Sequence, residues 1–227
     1  ARAAYVAGFA TTSNLEAGRR YDIPTAGTSA HSFTLLHDTE RDAFTAQVES
    51  LGTATTLLVD TYDVAEAVRV AIDVAGTGLG AVRLDSGDLP LLAGQVRRQL
   101  DELGATGTRI TVTSDLDEYA IAGLAAAPVD GYGVGTSLVT GSGHPTCGFV
   151  YKLVARADGL EPDAAMISVA KASVDKVSIG GRKYALRRLD RRGTATAEVI
   201  GIGEPPQGDD NDRPLLVPLV EDGERVH

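Results

Sequence analysis

Three times along this chain a short apolar run ends in a carboxylate and then gives way to a helix-like segment, and a fourth run opens into a glycine-rich turn. This repeat restricts the possible folds more than any other feature of the sequence. Its sharpest copy is Gly80-Ala81-Val82-Arg83-Leu84-Asp85-Ser86-Gly87-Asp88. Residues 81–84 read as a buried strand with one embedded arginine, followed by Leu89, Leu92, Val96, Leu100 and Leu103 at helical spacing. Residues 56–59 form the same kind of run, ending in Asp60, with Val64, Val68, Ala71, Ile72 and Ala75 on one face of a helix over 64–75. Residues 109–113 repeat it, ending in Ser114 and Asp115 before a helix over 117–126, and a strand over 130–134 opens into Gly133-Val134-Gly135-Thr136. Short links between such units call for parallel strands joined by right-handed crossovers. That is the working unit of α/β barrels, whose sites collect where the strands end. Asp60, Asp85, Asp88 and Asp115 are thus expected on one rim. Any one of them is equally well a helix N-cap; the succession is what argues for a site.

The stretch before this repeat is less regular. Ser13 and Glu16 have the spacing of a capping box, which predicts a helix over 14–21. Residues 23–28 are expected to be a strand, leaving His31 just past its end among small residues, as a structural hydrogen-bonder or a catalyst. A helix over 38–51 should bury Phe44, Val48 and Leu51, with Gly52 as its stop. Gly133-Val134-Gly135-Thr136 reads two ways, as a tight turn or as a backbone cradle for a phosphate. Residues 148–154 are expected to form a strand carrying Lys152. After Asp158 the pattern changes to short antiparallel strands near 183–188, 194–200 and 215–219. The expected organisation is an α/β barrel portion over 1–157 and a small β-rich appendage over 158–227.

The 227 residues, 43% of them hydrophobic, suffice for one large domain with or without an appendage. A formal net charge of −10 argues against binding to a nucleic-acid backbone, which needs a basic surface. The single cysteine, Cys147, excludes an internal disulfide and any cysteine-rich metal site. No apolar run is long enough to span a membrane and no secretory signal pattern opens the chain. Together these favour a cytoplasmic enzyme. The absence of an initiator Met, with helix-like sequence from the first residue, suggests a fragment whose first half is missing.

In order along the chain stand Gly-Phe-Ala-Thr-Thr-Ser-Asn (8–14), Gly-Thr-Ser-Ala-His-Ser (27–32), Leu-Val-Asp-Thr-Tyr-Asp (58–63), Arg-Leu-Asp-Ser-Gly-Asp (83–88), Thr-Ser-Asp (113–115), Gly-Val-Gly-Thr (133–136) and Val-Tyr-Lys-Leu (150–153). Lys171-Ala172-Ser173 and Gly180-Gly181-Arg182-Lys183 follow. This series resembles nicotinate phosphoribosyltransferase, in its second half. The family's N-terminal domain is absent, and Thr11 stands where the family usually has a glycine.

The resemblance implies an irregular TIM-like α/β barrel of the type II phosphoribosyltransferases with a β-rich C-terminal segment. It implies transfer of ribose 5-phosphate from phosphoribosyl pyrophosphate to nicotinate, giving nicotinate mononucleotide and pyrophosphate on the salvage route to NAD. ATP would be co-substrate through a phosphorylated His31, with Mg²⁺ accompanying the phosphates, in a homodimer. Asp85 and Asp115 would take the ribose hydroxyls and the developing positive charge, and Asp60, Asp88 and Ser114 would support the substrate. Arg83 and Ser32 would pair with the nicotinate carboxylate, and Gly133, Gly135 and Thr136 would hold the 5′-phosphate. Two rival expectations stand beside it: a nicotinamide phosphoribosyltransferase, and a non-catalytic or truncated paralogue that binds phosphoribosyl ligands.

Overall fold

A computed structural model describes residues 1–141, 143–172 and 178–226 of the protein. The chain divides into two compact units, one holding Ala1–Lys152 together with Lys171 and Ala172, the other Leu153–Ala170 and the chain from Ser178 onward.

The first unit opens with α1 (Arg2–Val6), α2 (Leu15–Tyr21), α3 (His31–Leu35) and α4 (Glu40–Leu51). It continues as β1 (Thr56–Leu58), α5 (Val64–Ala75), β2 (Ala81–Leu84), α6 (Leu89–Glu102), β3 (Arg109–Val112), α7 (Glu118–Gly123), β4 (Gly131–Tyr132) and α8 (Thr136–Thr140). The strands pair in parallel in the order β1-β2-β3-β4, so each strand–helix unit adds the next neighbour of the sheet. This is the mixed α/β architecture with a parallel sheet that the repeat predicts.

Local chemistry sets the helix ends. Asp63 caps α5 by accepting from the Glu66 amide at 2.8 Å, Asp88 caps α6 by accepting from the Leu91 amide at 3.1 Å, and Asp117 caps α7 from the Ala120 amide at 2.8 Å. Thr39 and Asp42 form a reciprocal capping box on α4. The apolar faces of α5 and α6 then close over the sheet. Val68, Ala71, Val96 and Leu100 join Leu57, Val59, Val82, Leu84, Ile110 and Val112 in one buried cluster. Burying each large side chain contributes about 1.5–3 kcal/mol, so this cluster is what holds the strand ends in place.

Several expectations are corrected. The cap of α2 is Asn14, which accepts from the Ala17 amide at 2.9 Å, rather than Ser13. No strand forms over 23–28, where a single parallel bridge joins Thr12 to Thr25 and Pro24 offers only its carbonyl. His31 instead begins a helix, behind Ala30. Leu51 at the end of α4 is 66% exposed. No strand forms over 148–154, and Phe149, Val150 and Tyr151 are exposed.

In the second unit β5 (Ala155–Ala157) pairs antiparallel with β6 (Met166–Ser168), a hairpin the sequence pattern does not announce. Then β7 (Lys183–Leu189) pairs antiparallel with β8 (Ala195–Ile202), as predicted, and with β9 (Arg213–Pro214). β10 (Val220–Glu221) and β11 (Glu224–Arg225) form a terminal hairpin. The strand expected over 215–219 does not form: the Leu215 amide still donates to the Ala185 carbonyl at 2.9 Å, but Pro218 has no amide to give a ladder.

Candidate active site

Strand register builds the site. Leu58 lies opposite Arg83, Leu84 opposite Val112 and Val112 opposite Tyr132. Continuing each pairing past the strand ends puts Asp60, Asp85, Thr113 and Gly133 in one row across the four strands. Backbone bonds carry the ladder that far: Val59 donates to Arg83 at 3.1 Å, Thr113 to Leu84 at 2.9 Å and Gly133 to Val112 at 2.9 Å. Neighbours in such a row project from the same face. Within it the Thr113 hydroxyl donates to Asp85 Oδ1. Gly133 belongs there because a Cβ would stand 2.5 Å from Thr113 Cγ2.

Asp60 is the buried centre, with its side chain 4% exposed. Its Oδ2 accepts from the Ser86 hydroxyl at 2.6 Å, the Asp85 amide at 3.2 Å and the Lys171 ammonium at 3.2 Å. Its Oδ1 is buried with no hydrogen-bond partner among the described residues. Lys171 also donates to Ser86 Oγ at 2.9 Å, and the Ala172 amide bonds the Thr61 carbonyl at 2.9 Å, fixing this late segment to the end of β1.

His31 closes the cluster. Its Nδ1 lies 3.1 Å from Thr61 Oγ1 and its Nε2 lies 2.9 Å from Lys171 Nζ, 3.6 Å from Asp85 Oδ2 and 3.8 Å from Asp60 Oδ1. The His31 ring holds the Asp85 carboxyl well below the usual carboxylate range; the Thr113 hydroxyl and Arg83 act in the same sense, while burial opposes them. Arg83 donates to Thr28 Oγ1, and its Nη2 is 3.6 Å from Asp85 Oδ1. Its Nε is buried without a partner among the described residues, so a planar anion beside it would complete its bonding.

Of the residues singled out in the sequence, His31, Asp60, Asp85 and Arg83 come together. Ser32 follows His31 in α3, half-buried. Gly133 is in the row, and Gly135 and Thr136 open α8 just beyond it. Asp88 is exposed and occupied as the cap of α6. Ser114 is held at φ 136°, backbone strain placed between β3 and Asp115. Asp115 itself is exposed, with no hydrogen bond or ion pair among the described residues. Sequence reasoning missed Lys171, Ser86, Thr28, Thr61 and Thr113 as members of the site. Lys171 had a signal in Lys171-Ala172-Ser173, though Ser173 lies outside the described residues. The three threonines had none beyond their nearness to strand ends.

Such a cluster pairs two carboxylates, which can hold hydroxyls or a developing cation, with two cations suited to anionic groups and an imidazole whose chemistry allows nucleophilic attack. Among the described residues no group of three or more His, Cys, Asp or Glu side chains is arranged to hold a metal ion by itself.

No protein-family model matches the chain. A curated nicotinate phosphoribosyltransferase of Mycobacterium tuberculosis, pncB1, is 55% identical over 235 residues, covering 100% of this chain and 51% of the relative. The nicotinate phosphoribosyltransferase of Bacillus subtilis is 40% identical over 201 residues, covering 84% of this chain and 40% of its own length. The solved nicotinate phosphoribosyltransferase of Porphyromonas gingivalis superposes with a TM-score of 0.61 at 20% identity, over 72% of this chain and 46% of its own. That likeness speaks for the fold. The chain spans about half the length of the curated relatives it matches. Along the whole of its length, this chain belongs to the nicotinate phosphoribosyltransferases.

Proposed function

We propose that the protein of which this chain is part transfers ribose 5-phosphate from phosphoribosyl pyrophosphate to the ring nitrogen of nicotinate, releasing pyrophosphate and forming nicotinate mononucleotide. The observation that carries this reading is the cluster of Asp60, Asp85, His31, Arg83 and Lys171 at the ends of parallel strands, in a chain 55% identical throughout to a relative so named.

Breaking the bond at the anomeric carbon leaves oxocarbenium character on the ribose. Asp85, kept ionised by its neighbours, stabilises that charge or a ribose hydroxyl. Asp115 would serve the second hydroxyl, with Ser114 and Asp88 in support. Backbone amides from Gly133 to Thr136 would hold the 5′-phosphate. Arg83, with its unpartnered Nε, would pair with the nicotinate carboxylate together with Ser32.

ATP coupling would run through His31. The Nε2 lone pair attacks the γ-phosphorus, an N–P bond forms, and the P–O bond to ADP breaks with ADP taking the electron pair. The orphan Oδ1 of Asp60 suits Mg²⁺, which binds through one or two carboxylates plus substrate phosphates. Asp60 and Asp85 would hold the ion, which would neutralise phosphate charge. The reading includes a homodimer and closure of the four-stranded sheet into an irregular TIM-like barrel.

The test is a phosphoribosyl-transfer assay on the intact protein with nicotinate and nicotinamide side by side, with and without MgATP. The expected result is product from nicotinate, increased by ATP and lost in Asp85→Ala. Product from nicotinamide in preference, or no product alongside thermal stabilisation by phosphoribosyl pyrophosphate, would overturn it.

A further inference from the structure

We propose that Gln47 is a positioning residue: through Ser29 it holds the Thr28–Ser29 stretch that aims the Arg83 guanidinium at the substrate carboxylate. This deepens the reading above and rests on it for the substrate, whereas the brace itself rests on bonds in the structure.

The starting point is a polar side chain on an apolar face. α4 turns Ala43, Phe44 and Gln47 inward, and Gln47 is 4% exposed. Burying an amide is costly unless its hydrogen bonds are made, so its partners are informative. Gln47 Nε2 donates to the Thr56 carbonyl and to Thr55 Oγ1, both at 2.9 Å, at the start of β1. A carbonyl can only accept, which fixes the orientation of the amide and leaves Oε1 toward Ser29. The Ser29 hydroxyl donates to Oε1 at 2.8 Å.

Ser29 matters because of what stands beside it. Among the described residues no backbone–backbone hydrogen bond reaches Gly27, Thr28 or Ser29, so side chains supply the bonds that tie this stretch to the sheet. Arg83 Nη1 donates to Thr28 Oγ1 at one end, and Gln47 takes the Ser29 hydroxyl at the other. Both anchors lead to one sheet, because Thr56 and Arg83 belong to the paired strands β1 and β2. The brace is therefore closed, running from β1 through Gln47, Ser29, Thr28 and Arg83 to β2. Holding Nη1 in this way fixes the plane of the guanidinium. The donors left for a planar carboxylate are Nε, buried without a partner among the described residues, and Nη2, 3.6 Å from Asp85 Oδ1. Releasing Ser29 would let Thr28 shift and Arg83 turn. The loss should then fall on binding of the acid rather than on the transfer step.

The test uses the intact protein and two readouts. The first is the ¹⁵Nε–¹H signal of Arg83 without ligands, assigned by its loss in Arg83→Lys. Its relaxation reports how firmly the guanidinium is held on the picosecond-to-nanosecond scale. The second is steady-state kinetics with nicotinate and phosphoribosyl pyrophosphate varied separately. Ser29→Ala and Gln47→Leu should each loosen Arg83 and raise KM for nicotinate about tenfold, with kcat and KM for phosphoribosyl pyrophosphate held within about twofold. The double variant should go no further than the larger single effect, since both substitutions cut one brace. Ser29→Thr, which keeps the hydroxyl, should retain the wild-type values. Phe44→Leu loosens the same helix without removing a bond to Ser29, so it should lower thermal stability and leave KM unchanged. An Arg83 signal as rigid in Ser29→Ala as in wild type, an unchanged KM in that variant, or an equal rise in KM in Phe44→Leu would overturn the proposal. Ser29 is half-buried, so its alanine variant decides even where Gln47→Leu does not fold. A loosened Arg83 in Ser29→Ala with no nicotinate turnover in wild type would leave the brace standing and remove the proposed reaction instead.

Discussion

At the scale of single residues, two carboxylates with opposite environments give opposite pH behaviour. Asp85 is held below the ordinary range, so its ionised form stabilises the folded chain. That contribution is complete above about pH 5 and is lost as the pH falls toward the folded value. Thermal unfolding of wild type and Asp85→Asn should therefore differ by a constant amount near neutrality and converge on acidification, while transfer activity falls on the order of 100- to 1000-fold. Glu40, at the start of α4, is pushed up to about 7 by burial, with Glu66, Asp60 and Asp63 adding repulsion. Between about pH 4.5 and 7 the folded form holds the extra proton, so stability declines as pH rises through that window and is level above it. Glu40→Gln should flatten this slope and be more stable than wild type above pH 7 by about 1–2 kcal/mol, after allowing for partial solvent access. Equal slopes in the two proteins would show that Glu40 does not titrate there.

At the scale of elements, the row Asp60–Asp85–Thr113–Gly133 depends on one small side chain at its end. Gly133→Ala would drive a methyl group into Thr113, and because Thr113 bonds Asp85 the clash should reach the site. The expected cost is about 1–3 kcal/mol in stability with a loss of activity that Thr113→Ala partly relieves. An undiminished Gly133→Ala protein would mean that β4 yields freely. Asp88 permits a separation of roles, since Asp88→Ser keeps a capping side chain and removes the carboxylate, whereas Asp88→Ala removes both. Stability should fall by about 1 kcal/mol only in the alanine variant, and activity lost in both would expose a role beyond the cap. These elements were also the most legible part of the sequence. The bounds of α5 follow from apolar spacing between its Asp63 cap and Gly76, and those of β2 from the apolar run between Gly80 and Asp85. Residues 23–28 and 148–154 have strand-like composition, but a strand needs a neighbour with free backbone groups, and no local pattern reveals whether one is there. The site was half legible for the same reason. Asp60, Asp85 and Arg83 sit in the repeat, whereas Lys171 reaches them from 111 residues beyond Asp60, a distance no local spacing encodes.

For the whole molecule, the distribution of buried apolar side chains decides where stability lies. Every buried hydrophobic residue among the described residues belongs to the first unit except Leu186 of β7. In the second unit Met166, Ile200, Ile202, Leu216 and Leu219 are exposed, so its strands are held mainly by backbone bonds that water can contest. Hydrogen exchange on this chain should therefore fall into two classes. The amides of Val82, Leu84, Ile110 and Val112, in strands covered by α5 and α6, should open only with global unfolding. Those of β5, β6 and β8 should exchange through cheaper local openings, with β7 slower beside Leu186. The site residues contributed by β1 to β3 would then remain organised while the second unit opens. Lys171 gives the sharpest reading, since its anchor is the bond from the Ala172 amide to Thr61 in the first unit. Protection of Ala172 matching β2 would show that the cluster, and not the chain around it, holds Lys171 in place. Protection matching β5 would show instead that the lysine leaves His31 whenever the second unit opens.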